Sequence, residues 1–119
     1  MSTTRTVAQA SLDDLRSDDV RFLQAASRGG PLHLRVPSDG LVRELTGAVP
    51  KFPQAERLFL AESIRWVATC EVVEQPLSAG VGELSSGNQV VVRAEDASEG
   101  LAAAAAAAGV ELRTVTHDE

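Results

Sequence analysis

The 119-residue chain has one cysteine, one tryptophan, three phenylalanines and no tyrosine. Cys70 stands alone, so no intramolecular disulfide can form and the fold must rest on its core. Aromatics are too few to fill that core, which has to be built from Leu, Val, Ile and Ala. Lysine is nearly missing as well: of the eleven basic residues, only Lys51 is not an arginine. No apolar run reaches the roughly 18 residues of a membrane span; the nearest, Leu101 to Val110, is too short and mostly alanine. Met1 to Ala10 has one Arg and no apolar stretch, which does not read as a signal peptide. The expected location is the cytoplasm, with no membrane partner. A net charge of −6 repels phosphates at long range, so nucleic acid is not an expected partner either.

The apolar fraction of 44% is ordinary for a globular protein. The length suits one domain, able to bury roughly 65% of its unfolded surface without a metal or disulfide. Residues 1–10 are polar and aperiodic and read as a flexible tail; residues 11–116 read as a single α+β domain; residues 117–119 form a polar end.

Ser11 and Ser17 precede acids and apolar residues at helical spacing (Leu12, Leu15, Val20, Leu23), and Gly29-Gly30 stops the run. One kinked helix or two short ones are expected over 11–28. Leu32, Leu34 and Val36 alternate with His33 and Arg35 as in a half-buried strand. A helix follows from Leu41 to Gly47, and another from Gln54 to Ala61 behind Pro53. Alternation over Ser63 to Glu74 predicts the longest strand, with an uncertain start near Ser63 because a helix could continue through Trp66. Leu77 to Asn88 reads as a long connection and Gln89 to Ala94 as a strand. Asp96 and Glu99 form a D-x-x-E cap for an alanine helix ending at Gly109, and Val110 to Thr116 is the last strand. The resulting order, β-α-β-β-α-β behind an N-terminal helix, predicts a ferredoxin-like sandwich: a four-stranded antiparallel sheet with helices on one face.

Motifs for chemistry are scarce. Gly80-Val81-Gly82 begins like a dinucleotide fingerprint but lacks the third glycine and does not open a helix. His33, His117 and Cys70 are too dispersed for a zinc site. A triad of His33 with a serine and an aspartate can be drawn, but no G-x-S-x-G elbow is present. Asp13, Asp14, Asp18 and Asp19 cluster near helix starts, where capping and solvation account for them. No cofactor and no catalytic residue is assigned, and whether the chain is an enzyme stays open.

One pattern stands out. Arg35, Arg65, Arg93 and Arg113 each fall in an expected strand, opposite its larger apolar residues. On a sheet covered on one side they would share the open face with Val67, Val73, Val91, Glu71 and Glu111. Solvated cross-strand pairs would explain the charges. The valines among them point instead to a partly buried interface. Without aromatics the face is unsuited to stacking RNA bases. The expected function is a non-enzymatic module that self-associates, as a homodimer, or binds another protein, with Arg35, Arg65, Arg93, Arg113, Val67 and Val91 as the candidate interface. The alternative is an enzyme or ligand sensor holding a small anionic molecule on the same arginine-lined face.

Overall fold

In the computed structural model, residues 6–13, 16–77, 88–93 and 98–115 are described. The first strand, β1 (Thr6–Gln9), lies inside the segment that reads as a polar tail. Its Thr6, Val7 and Ala8 are all buried. A strand flanked on both sides and covered on both faces needs no alternation of apolar and polar residues, which is why a pattern search passes over four residues reading Thr-Val-Ala-Gln.

Helix α1 (Ser17–Ser27) carries Asp18 and Asp19 in its first turn. Strand β2 (Leu32–Pro37) leads to α2 (Asp39–Thr46), whose cap Ser38 accepts a hydrogen bond from the Leu41 amide at 3.1 Å. Helix α3 (Gln54–Ser63) starts behind Pro53. Strand β3 is only Thr69–Val73, so the segment from Ser63 to Ala68 contributes the end of α3 and a turn rather than strand. Strand β4 (Gln89–Arg93), helix α4 (Glu99–Ala108) and strand β5 (Glu111–Val115) complete the order. Asp96, the expected cap of α4, lies outside the described residues; Ser98 caps the helix, its hydroxyl accepting from the Leu101 amide at 3.1 Å.

These strands form one sheet in the order β3-β2-β1-β4-β5, and every pairing is parallel. The ferredoxin-like expectation is therefore wrong: the sheet has five parallel strands, not four antiparallel ones, and the fold is α/β. The difference has two physical sources. Strand β1, on which both halves are built, lies in a segment without alternation. Strands β3 and β4, consecutive in the chain, are not neighbours in the sheet: β4 pairs with β1.

Helices cover both faces. Ala8, Leu34 and Val91 pack in one cluster with Phe22, Leu23, Ala25 and Ala26 of α1 and Ala61 of α3. Val90 and Val92 pack on the other side with Leu101 and Ala105 of α4. Of the residues expected on an open sheet face, Val91 is wholly buried in the cluster with α1. Where α1 returns to β2, a Cβ at Gly29 would press on the side chains of Gln89 and Thr6, which would have to shift to admit it. No helix among the described residues is long and apolar enough to cross a membrane.

Candidate functional site

In a parallel sheet all strands end on the same edge. Where successive strands leave the first one in opposite directions, the connections part and a crevice opens beyond the carboxyl ends. Here that point lies between β1 and β4. A crevice of about 670 Å³ opens there, lined among others by Gln9, Ser11, Asp13, Asp19, Arg93 and Ser98, with Phe22, Val92 and Leu101 as apolar wall.

The loop after β1 is braced from beneath by Arg57, a fully buried arginine on α3. Its Nε donates to the Phe52 carbonyl at 3.0 Å, and Nη1 to the carbonyls of Ser11 (3.1 Å) and Pro37 (2.7 Å). Its Nη2 meets Asp39 Oδ1 at 2.8 Å. A guanidinium can satisfy so many directions because its donors are fixed in a plane. One residue thereby ties together the carboxyl ends of β1 and β2 and the starts of α2 and α3. Leu12, in the same loop, adopts a left-handed backbone at φ 59°, a strained conformation for leucine held by burial of its side chain.

Asp13 anchors the next layer. Its two carboxylate oxygens accept the amides of Lys51 and Phe52, each at 2.9 Å. Partial burial alone would raise its pKa. The two amide bonds, with the charges of Arg57 and Lys51, outweigh that and hold it below the usual carboxylate value. Across the crevice, Arg93 at the end of β4 is paired with Asp19 and lies 3.7 Å from Asp18. Its guanidinium also sits over the Phe22 ring at 5.1 Å. Asp19 turns its other oxygen to the Arg16 amide at 2.8 Å, capping the start of α1.

The structure does not bring the four arginines of the sequence analysis together. Arg35 is buried, donating to Gln9 Oε1 at 3.3 Å and to the Gln75 carbonyl at 3.0 Å. Arg65 lies in the turn after α3, stacked on Trp66 at 4.7 Å. Arg93 and Arg113 point to the face covered by α1, where Arg113 donates to the carbonyls of Ala25 and Ala26. Val67 is half-buried and Val91 lies in the core. Only Arg93 reaches the crevice. Arg57, the residue that organises it, had no signal in the sequence beyond its place one turn into a helix.

His33 is half-buried. Its Nδ1 lies 2.7 Å from Thr69 Oγ1 and its Nε2 3.1 Å from Glu71 Oε1. This hydroxyl–imidazole–carboxylate line sits at the amino end of β2 and β3, away from the crevice, and cross-strand pairing accounts for it. His117 and the Gly80-Val81-Gly82 segment lie outside the described residues. Among the described residues, no three His, Cys, Asp or Glu side chains gather to hold a metal.

No protein-family model matches this chain, and no curated protein matches it. Solved structures do. The lipopolysaccharide core biosynthesis protein from Thermoplasma volcanium GSS1 is similar with a TM-score of 0.79 at 19% identity, over 97% of this chain and 96% of that one. A protein of unknown function from Archaeoglobus fulgidus is similar with a TM-score of 0.71 at 13% identity, over 96% and 90%. At such identities the likeness is one of fold.

Proposed function

We infer that this chain is a cytoplasmic small-molecule-binding module whose ligand lies in the crevice between the carboxyl ends of β1 and β4. The observation that supports this is the coincidence of an open crevice with the reversal of strand order, the place where open α/β sheets bind their ligands. The strained backbone at Leu12 and the fully buried Arg57 add weight, because both are costs concentrated on one loop at that edge. A cytoplasmic location is in keeping with the lone thiol.

The test is a thermal-shift screen with neutral, cationic and anionic metabolites, since a ligand that binds only the folded state raises its apparent stability. Thr46→Trp, at an exposed position on the crevice rim, should abolish the shift of any true hit. A hit untouched by this substitution would place the ligand elsewhere.

Self-association remains a second reading, moved to another surface. Leu45, Val49, Phe52 and Phe59 are large apolar residues exposed by 54%, 66%, 48% and 67%, and large exposed apolar side chains mark interaction surfaces when they gather. All four come from α2, α3 and the loop between them, and twofold dimers are the commonest oligomers. Sedimentation velocity of Phe59→Glu against the wild type tests it: a wild-type monomer at high concentration removes this reading.

A further inference from the structure

In doubly wound folds a ligand phosphate characteristically lies at the start of the helix after β1, held by backbone amides and the positive end of the helix dipole. Glycines in the preceding turn let the backbone approach it. This chain reads Ala-Ser-Leu-Asp-Asp-Leu-Arg from Ala10 to Arg16, with no glycine. A guanidinium is at hand in Arg93, but the chain's own carboxylates engage it. Through one oxygen Asp19 holds Arg93; through the other it accepts the Arg16 amide at the mouth of α1. A single carboxylate thus makes both contacts, to an amide at the helix start and to a guanidinium, that a phosphate would make there. Asp18 adds a second negative charge at 3.7 Å from Arg93, and Asp13 a third on the crevice wall.

We propose that Asp19 is an internal stand-in for a ligand's anionic group, closing the crevice to phosphate-bearing molecules and leaving it to uncharged or cationic ones. The proposal rests on the reading of the crevice as a ligand site. An anion entering the crevice meets Asp13 and Asp19, with Arg93 already neutralised. An uncharged body is met by Phe22, Val92 and Leu101, and a cation by the acids.

The experiment is calorimetric titration of the full chain with inorganic pyrophosphate. The wild type should show no binding. Asp19→Asn, which keeps the shape of the side chain and removes its charge, should bind at least about tenfold more tightly than the wild type. Adding Arg93→Gln to that variant should abolish the gain. Asp18→Asn, which leaves the Arg16 cap in place, should give a smaller gain and guards against failure of the Asp19 variants to fold. Pyrophosphate binding by the wild type with crevice amides perturbed would overturn the proposal while supporting a ligand site there. Folded Asp19→Asn and Asp18→Asn variants without gain would also overturn it. In that case an uncharged metabolite that still shifts wild-type melting, and loses its effect in Thr46→Trp, would keep the ligand site and refute only the role of Asp19.

Discussion

Arg57 donates a hydrogen bond from Nη1 to the carbonyl of Ser11, 3.1 Å away and 46 residues earlier in the chain. With its bonds to Pro37, Phe52 and Asp39, it joins the loop after β1, the turn from β2 into α2 and the segment that leads into α3. Replacing it by methionine strands three carbonyls, while the half-exposed Asp39 carboxylate keeps water as a partner. The expected loss is about 3–5 kcal/mol in unfolding free energy, at roughly 1–3 kcal/mol for each buried acceptor left unmade. Arg57→Lys should recover only a small part, since an ammonium cannot span the same fork of acceptors. Urea denaturation measures both.

Asp13 should give the fold an acid-sensitive component. Its folded pKa lies below the unfolded value of 3.8, through the amides of Lys51 and Phe52 acting against partial burial. Such a group adds stability above the unfolded value, and the contribution is lost as pH falls through the folded one. The difference in unfolding free energy between wild type and Asp13→Asn should be constant near neutrality and shrink below about pH 4. A difference that persists unchanged at the acid end would mean that the carboxylate charge is not what holds the loop.

The alanine helix depends on its ends. Ser98→Ala should cost about 1 kcal/mol through the lost bond to the Leu101 amide. Gly109 sits at φ 71°, so Gly109→Ala should cost a comparable amount, about 1 kcal/mol, from left-handed strain. Thermal melts of the two single variants and the double variant check both values and their additivity.

How much of this could be seen in the sequence differs by element. The strand of Leu32, Leu34 and Val36 and the helices behind Pro53 and before Gly109 were legible, because turn residues bound them and their patterns are strong. Strand β1 was not, since burial on both faces erases alternation. Its omission also hid the parallel pairing and the crevice, which exists only because β4 lies beside β1. Arg93 stands out in the sequence, but for a face that α1 covers. Asp13, Asp18 and Asp19 stand where capping and solvation are expected, and Asp13 and Asp19 do accept backbone amides. No local rule could show that the Asp19 cap also holds a guanidinium 74 residues away.

Trp66 and Cys70 pack half-buried against the same core cluster, although Trp66 lies in a turn. Burial pushes the Cys70 thiol up, and the charge of Glu62 adds to it. The folded protein should therefore react with a thiol reagent at neutral pH about tenfold more slowly than the unfolded chain, thiolate being the reactive form. Glu62→Gln should speed the folded reaction slightly; equal rates for folded and unfolded protein would contradict this placement.

Amide chemical-shift mapping of a screened ligand on uniformly labelled protein tests the central claim most directly. The account predicts that the perturbed amides are those of Ala10 to Asp13, Asp19 and Arg93, at the carboxyl ends of β1 and β4. Perturbations gathered instead on Val49 and Phe59, or on His33, Thr69 and Glu71 at the amino edge, would contradict it.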